Sequence, residues 1–196
     1  LLESPVCYSY DVERAKNIFA ELPQEIQKKR LVFKFSKLGG DDIKKGVEWM
    51  QQQWRRNLGL TIDLEQVEQG LYLNELSQHA PAIFRKGVGL EAPTCFAALE
   101  NFRTKAPENY IHYDNDTFNG LVATILEKSV TKTAAKSLNI PCTKATRLLL
   151  QEHVLIPMGQ VHFALLASTY FKGWKLNHLN QLDLSNLSRV SHSSKR

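Results

Sequence analysis

Gly87-Val88-Gly89-Leu90-Glu91-Ala92 is the run whose residue types and spacing come nearest to a known chemistry. It fits Gly-x-Gly-x-x-Gly/Ala, follows a strand-like segment and precedes a helix-like one, as a dinucleotide-binding fingerprint does. That chemistry would be close backbone approach to a pyrophosphate, with a helix N-terminus behind it. An acid for the ribose is wanted about 20 residues on, and only Glu108 and Asp114 stand there, in or near a polar loop. The run also sits in mid-chain, after a separate βαβ pattern. A plain loop is therefore the preferred reading, and a small α/β enzyme holding a nucleotide at Gly87–Ala92 is the alternative.

Other reactive residues do not converge. His79, His112, His153, His162, His178 and His192 show neither His-x-x-x-His nor His-Glu-x-x-His spacing, so no metal site is expected. Gly-x-Ser-x-Gly is absent, and no catalytic residue is assigned. Cys7, Cys95 and Cys142 form no Cys-x-x-Cys pair. Three buried or idle thiols are the expectation, with a Cys95–Cys142 bridge as the alternative in an oxidising compartment. Trp54 is expected in a core, while Trp49 faces a different side of the same helix.

The elements that must position these residues follow from periodicity. Asp11 caps a helix with Ala15, Ile18, Phe19 and Leu22 on one stripe, ended by Pro23. Leu31, Phe33 and Phe35 alternate as a strand over 31–37. After Gly39-Gly40, Asp41 or Asp42 caps a helix over 42–58 with Ile43, Val47, Met50, Trp54 and Leu58 inward and Gly59 as its stop. A second strand covers 60–66. Strand, helix and strand in so short a span predict a right-handed parallel βαβ unit.

A short helix over 70–78, a strand over 82–88 and a helix from Pro93 to Phe102 follow. Next come a polar loop over 103–113 and a helix capped by Asp114 or Asp116, with Phe118, Leu121, Val122, Ile125 and Leu126 on one face. Residues 131–141 are weakly patterned, Thr143 is the expected cap of a helix through Glu152, and Val161, Phe163, Leu165 and Ala167 alternate as a last strand. Residues 188–196 read as a polar, frayed tail.

The 196 residues carry a net charge of +5, 43% hydrophobic and 23% charged residues, ordinary globular values. The basic residues are dispersed rather than gathered on one face with aromatics between, so no nucleic-acid partner is expected. No apolar run reaches the length of a transmembrane helix.

Residues 168–187 pass through Lys172-Gly173-Trp174, an Asn-rich loop and Leu182-Asp183-Leu184. This segment resembles the close of the extracytoplasmic solute-binding proteins that serve oligopeptide and dipeptide ABC importers (family 5). The resemblance extends to the Asp11-x-Glu13-Arg14-Ala15-Lys16 helix, the Gln-rich helix at Trp49–Trp54 with Asn57-Leu58-Gly59-Leu60, Tyr113–Phe118, and Ile156-Pro157-Met158.

The resemblance implies an α/β fold: a periplasmic-binding-protein-like lobe with a mixed, largely parallel sheet flanked by helices. It would form a single lobe over 1–187, followed by the tail. It implies a non-enzymatic role without cofactor, in which a peptide or other small solute is captured between this lobe and a missing first lobe, then passed to a membrane ABC permease. The location would be periplasmic or otherwise extracytoplasmic in a bacterium. The ligand-facing candidates are Lys86, Gly87, Val88, Gly89, Glu91, Asn109, Tyr110, Met158, Gln160 and His162. The chain departs from the family where an acidic Asp-Tyr-Pro stretch commonly neutralises a peptide's amino terminus. Lys86 and Gly89 stand near the expected Trp and Asp, and Glu91 is the only acid nearby.

Overall fold

The computed structural model describes residues 9–38, 40–87, 90–130, 136–156, 165–177 and 181–190. They fall into two compact units, one from Val6–Val88 with Phe102–Asn115, the other from Gly89–Asn101 with Asp116–Arg196 and the first five residues.

The first unit is built on the expected βαβ pattern. Strand β1 (Leu31–Ser36) pairs in parallel with β2 (Ile62–Val67), Leu31 opposite Ile62, and with β3 (Ile83–Arg85), Phe33 opposite Ile83. The sheet order is β2-β1-β3. Two helices precede β1, α1 (Val12–Ala20), whose N-cap Asp11 accepts from the Arg14 N–H, and the short α2 (Gln24–Gln27). Between β1 and β2 runs α3 (Gly40–Leu58), and between β2 and β3 runs α4 (Gln69–His79).

Strand alternation decides what each helix covers. Phe33 and Phe35, both buried, face α3, where Val47 is fully buried and Ile43, Met50 and Trp54 pack beside them. Lys34 and Ser36 point to the other face and meet α4. There the Lys34 ammonium sits between Glu75 (2.8 Å) and Glu65 (3.1 Å), and the Ser36 hydroxyl donates to Gln69. The hydrogen bond to Glu75, more than that to Glu65, raises the Lys34 pKa. Tyr72 of α4 is buried, and its hydroxyl donates to the Arg85 carbonyl at 2.6 Å, with the Lys34 carbonyl at 3.3 Å. Burial pushes its pKa up to about 12. Both faces of the sheet are thus covered, as parallel sheets require.

In the second unit α5 (Cys95–Leu99) is capped by Thr94, whose hydroxyl accepts from the Ala97 N–H, and a 3-10 turn over Glu100–Phe102 follows. The helix expected to start at Pro93 therefore begins two residues later, where a side-chain acceptor is available. Helix α6 (Asp116–Val130) buries Phe118, Val122 and Ile125, while Leu126 is exposed. Helix α7 runs Lys136–Gln151 and contains Pro141. Thr143 is inside this helix rather than its cap. A proline deletes only one ladder donor, and burial of Cys142, Ala145 and Leu149 holds the helix beyond it.

Cys95 and Cys142 are disulfide-bonded, with Cα atoms 6.1 Å apart, which corrects the expectation of idle thiols. A separation of 47 residues hides this pairing from local pattern reading. Cys7 lies outside the described residues.

The last strand expected over 161–167 lies outside the described residues as far as 164, and 165–168 are not extended into a ladder. Beyond them, β4 (Phe171–Lys172) pairs antiparallel with β7 (Ser188–Arg189), and β5 (Lys175–Leu176) with β6 (Leu182–Asp183). The β5–β6 ladder lies within β4–β7 with the register offset by two residues, so 170–189 is a broken ribbon of two short ladders. Ser188–Arg189, at the start of the expected tail, is part of it. Gly173 joins β4 to β5 at φ +88, and a Cβ there would lie 1.9 Å from the Asn186 carbonyl oxygen, so only glycine fits. Every described residue from 165 to 189 is exposed.

Candidate functional site

The chain leaves β3 at the C-terminal edge of the sheet, where open α/β sheets place their ligands. Lys86 is the first residue beyond the strand. Its side chain is only 15% exposed, and its ammonium meets Glu108 at 2.9 Å and the Tyr110 hydroxyl at 3.2 Å. It also lies 4.3 Å from the centroid of the Tyr110 ring, a cation–π geometry. Lys86 and Tyr110, 24 residues apart, are therefore brought into contact. Glu108, weighed in the sequence only as a ribose ligand, is the carboxylate paired with the Lys86 ammonium.

The 103–114 loop that carries Glu108 and Tyr110 is pinned from inside by Asn109. This buried side chain donates to the carbonyls of Arg103 (3.1 Å) and Tyr113 (2.8 Å) and accepts from the Tyr113 N–H (2.9 Å). Its amide is fully committed, so Asn109 shapes the loop. Thr104 donates to Asp114 at 2.7 Å and closes the loop's base. Asp114, one of the two expected helix caps, is engaged here instead.

Lys105 and His112 adopt left-handed φ of 64 and 53. Together with Ser77 of α4, the loop lines a cavity of about 330 Å³. Ser77, Lys105 and His112 were not singled out as ligand-facing in the sequence, and Asp114 was weighed there only as a ribose acid and a helix cap. No motif marks them, because the cavity forms only when loop and helix pack.

Gly87 is exposed with open space at its Cβ position, and Glu91 is exposed. Val88, Gly89, Met158, Gln160 and His162 lie outside the described residues. The Gly87–Ala92 run leads to α5, which is five residues long and starts at Cys95, three positions past Ala92. A phosphate-binding helix must begin in the glycine loop itself to aim its N–H groups at the ligand. No cluster of metal-ligating side chains forms among the described residues. No helix among them is long and apolar enough to cross a membrane.

No family model and no curated protein matches the chain by sequence. Solved structures match its fold. The pheromone receptor PrgZ, described with its mode of peptide binding, superposes with a TM-score of 0.71 at 20% identity over 93% of this chain and 35% of that one. A periplasmic oligopeptide-binding protein from Borrelia burgdorferi gives 0.70 at 21% identity over 96% and 38%. The substrate-binding domain of an oligopeptide ABC transporter from Bacillus anthracis gives 0.63 at 22% identity over 74% and 28%. The chain thus spans between 28% and 38% of the length of these three structures. It has the periplasmic-binding-protein fold, as the α/β reading of the sequence expected.

Proposed function

We propose that this chain is one lobe of a two-lobe receptor that captures a peptide or other small solute and presents it to a membrane ABC permease. The observation that carries this reading is the superposition of 93% of the chain on 35% of a peptide-binding receptor. The 170–189 ribbon supports it. By strand alternation Trp174, Leu176, Leu182 and Leu184 share one face, all are exposed, and an isolated two-stranded ribbon is marginal in water. A second lobe is the surface such a face requires. The Cys95–Cys142 disulfide supports an oxidising, extracytoplasmic location.

Solute would be held as the two lobes close by hinge motion, with Lys86, Gly87 and Tyr110 as its contacts on this side. Half of such a cleft leaves one side of the solute in water. Losing two or three hydrogen bonds at about 0.5–1.5 kcal/mol each already weakens binding by roughly an order of magnitude or more. Calorimetry with a peptide library should therefore show no submicromolar binder for the chain alone. The same chain joined to a complementary first lobe should bind tightly. A tight, saturable complex of the chain alone would mean that it is a complete receptor and not half of one.

A further inference from the structure

We propose that the cavity under the 104–114 loop is a site for a free α-amino acid with an apolar side chain, adjoining at Tyr110 the solute cleft of the two-lobe reading. All of its lining residues lie in one compact unit, and Lys105, His112 and Asp114 are exposed at its open mouth.

Its volume, about 330 Å³, stands at the small end of small-molecule sites and suits one amino acid better than a peptide of several residues. Its walls are pre-formed, because Asn109 ties the loop to itself through three hydrogen bonds. Its chemistry is that of a zwitterion's counterpart. Lys105 and His112 supply donors for a carboxylate. Asp114, whose Oδ1 accepts from Thr104, supplies an acceptor for an ammonium group, and Tyr110 and Tyr113 supply ring surface. A simple anion would meet Asp114 and a simple cation would meet Lys105. A ligand carrying both charges satisfies both.

The backbone carries the argument further. Lys105 and His112 are two of the three non-glycine residues with positive φ among the described residues, and both line this cavity. Glycine would hold that conformation without strain. Strain of this kind collects at ligand sites, where the side chain is needed in spite of the backbone. Lys105→Gly therefore separates function from folding, since it removes the ammonium and relieves the backbone together.

The test is calorimetric titration of the 196-residue chain with L-leucine and N-acetyl-L-leucine. The expected result is saturable binding of L-leucine with Kd on the order of a millimolar or tighter. Asp114→Asn, Lys105→Gly and N-acetylation of the ligand should each weaken binding by about tenfold or more. The thermal midpoint of the Lys105→Gly protein should equal or exceed that of the parent. The inference is overturned if L-leucine shows no saturable binding at roughly 50 mM, or if both variants bind it as the parent does. Such a failure leaves the two-lobe reading standing, because that reading is tested by peptides on the joined lobes.

Discussion

The β1–β3 sheet and the 170–189 ribbon are both built from paired strands, yet they solve the burial problem in opposite ways. In the sheet, Phe33 and Phe35 go under α3, while Lys34 and Ser36 find partners on α4, so each face is covered within one unit. In the ribbon the strands also pair, over two residues at a time, but Trp174, Leu176, Leu182 and Leu184 stay in solvent. Backbone pairing alone does not make a region self-sufficient. A face must also be buried, because the net gain from each backbone hydrogen bond is small beside the hydrophobic term.

The comparison breaks most visibly at the sheet core. Phe35→Ala should lower unfolding stability by about 3–5 kcal/mol, read as a shift in the urea midpoint. A smaller loss would mean that the sheet is less closed than its burial implies.

Next in size is the cross-link of the other unit. Cys142→Ala should cost about 2–4 kcal/mol and speed amide exchange in α5 and α7, while β1 and β2 keep their protection. Equal loosening of β1 would show that the two units do not unfold separately.

Tyr72 sharpens the sheet side through pH. Its folded-state pKa is raised from 10.0 to about 12, so its contribution is complete below pH 10 and is lost as pH rises toward 12. A shift of that size corresponds to about 2–3 kcal/mol. Urea midpoints measured between pH 9 and pH 12 should fall accordingly, and Tyr72→Phe should flatten that part of the profile.

The smallest effect belongs to the ribbon. Trp174→Ser should change the stability of the chain alone by no more than about 0.5 kcal/mol, as exposed substitutions do. With a complementary lobe joined, it should destabilise the pair clearly. A large effect in the chain alone would place Trp174 in a core it does not visibly share.

Much of the sheet unit was legible because its signals are local and agree with one another. The change from period two at Leu31–Phe35 to the helical stripe of Ile43–Trp54 and back locates β1, α3 and β2. The parallel pairing follows from the length of the crossover. Less legible were elements whose signals conflict. Pro141 reads as a breaker, but α7 runs through it because packing around Cys142 outweighs one missing donor. The site was legible in part. Lys86 and Tyr110 were both marked as ligand-facing, but Glu108 as the partner of the Lys86 ammonium was not, nor was the commitment of Asn109 to its own loop.

By itself the sequence determined the α/β class and the order and approximate bounds of β1, α3, β2 and α4, since each depends on residues within a few turns of chain. Only the tertiary structure decided the Cys95–Cys142 bond, the Lys86–Glu108–Tyr110 cluster and the cavity under the 104–114 loop. Each joins residues far apart in sequence, and no periodicity encodes a contact whose closure is settled by the packing of everything between them.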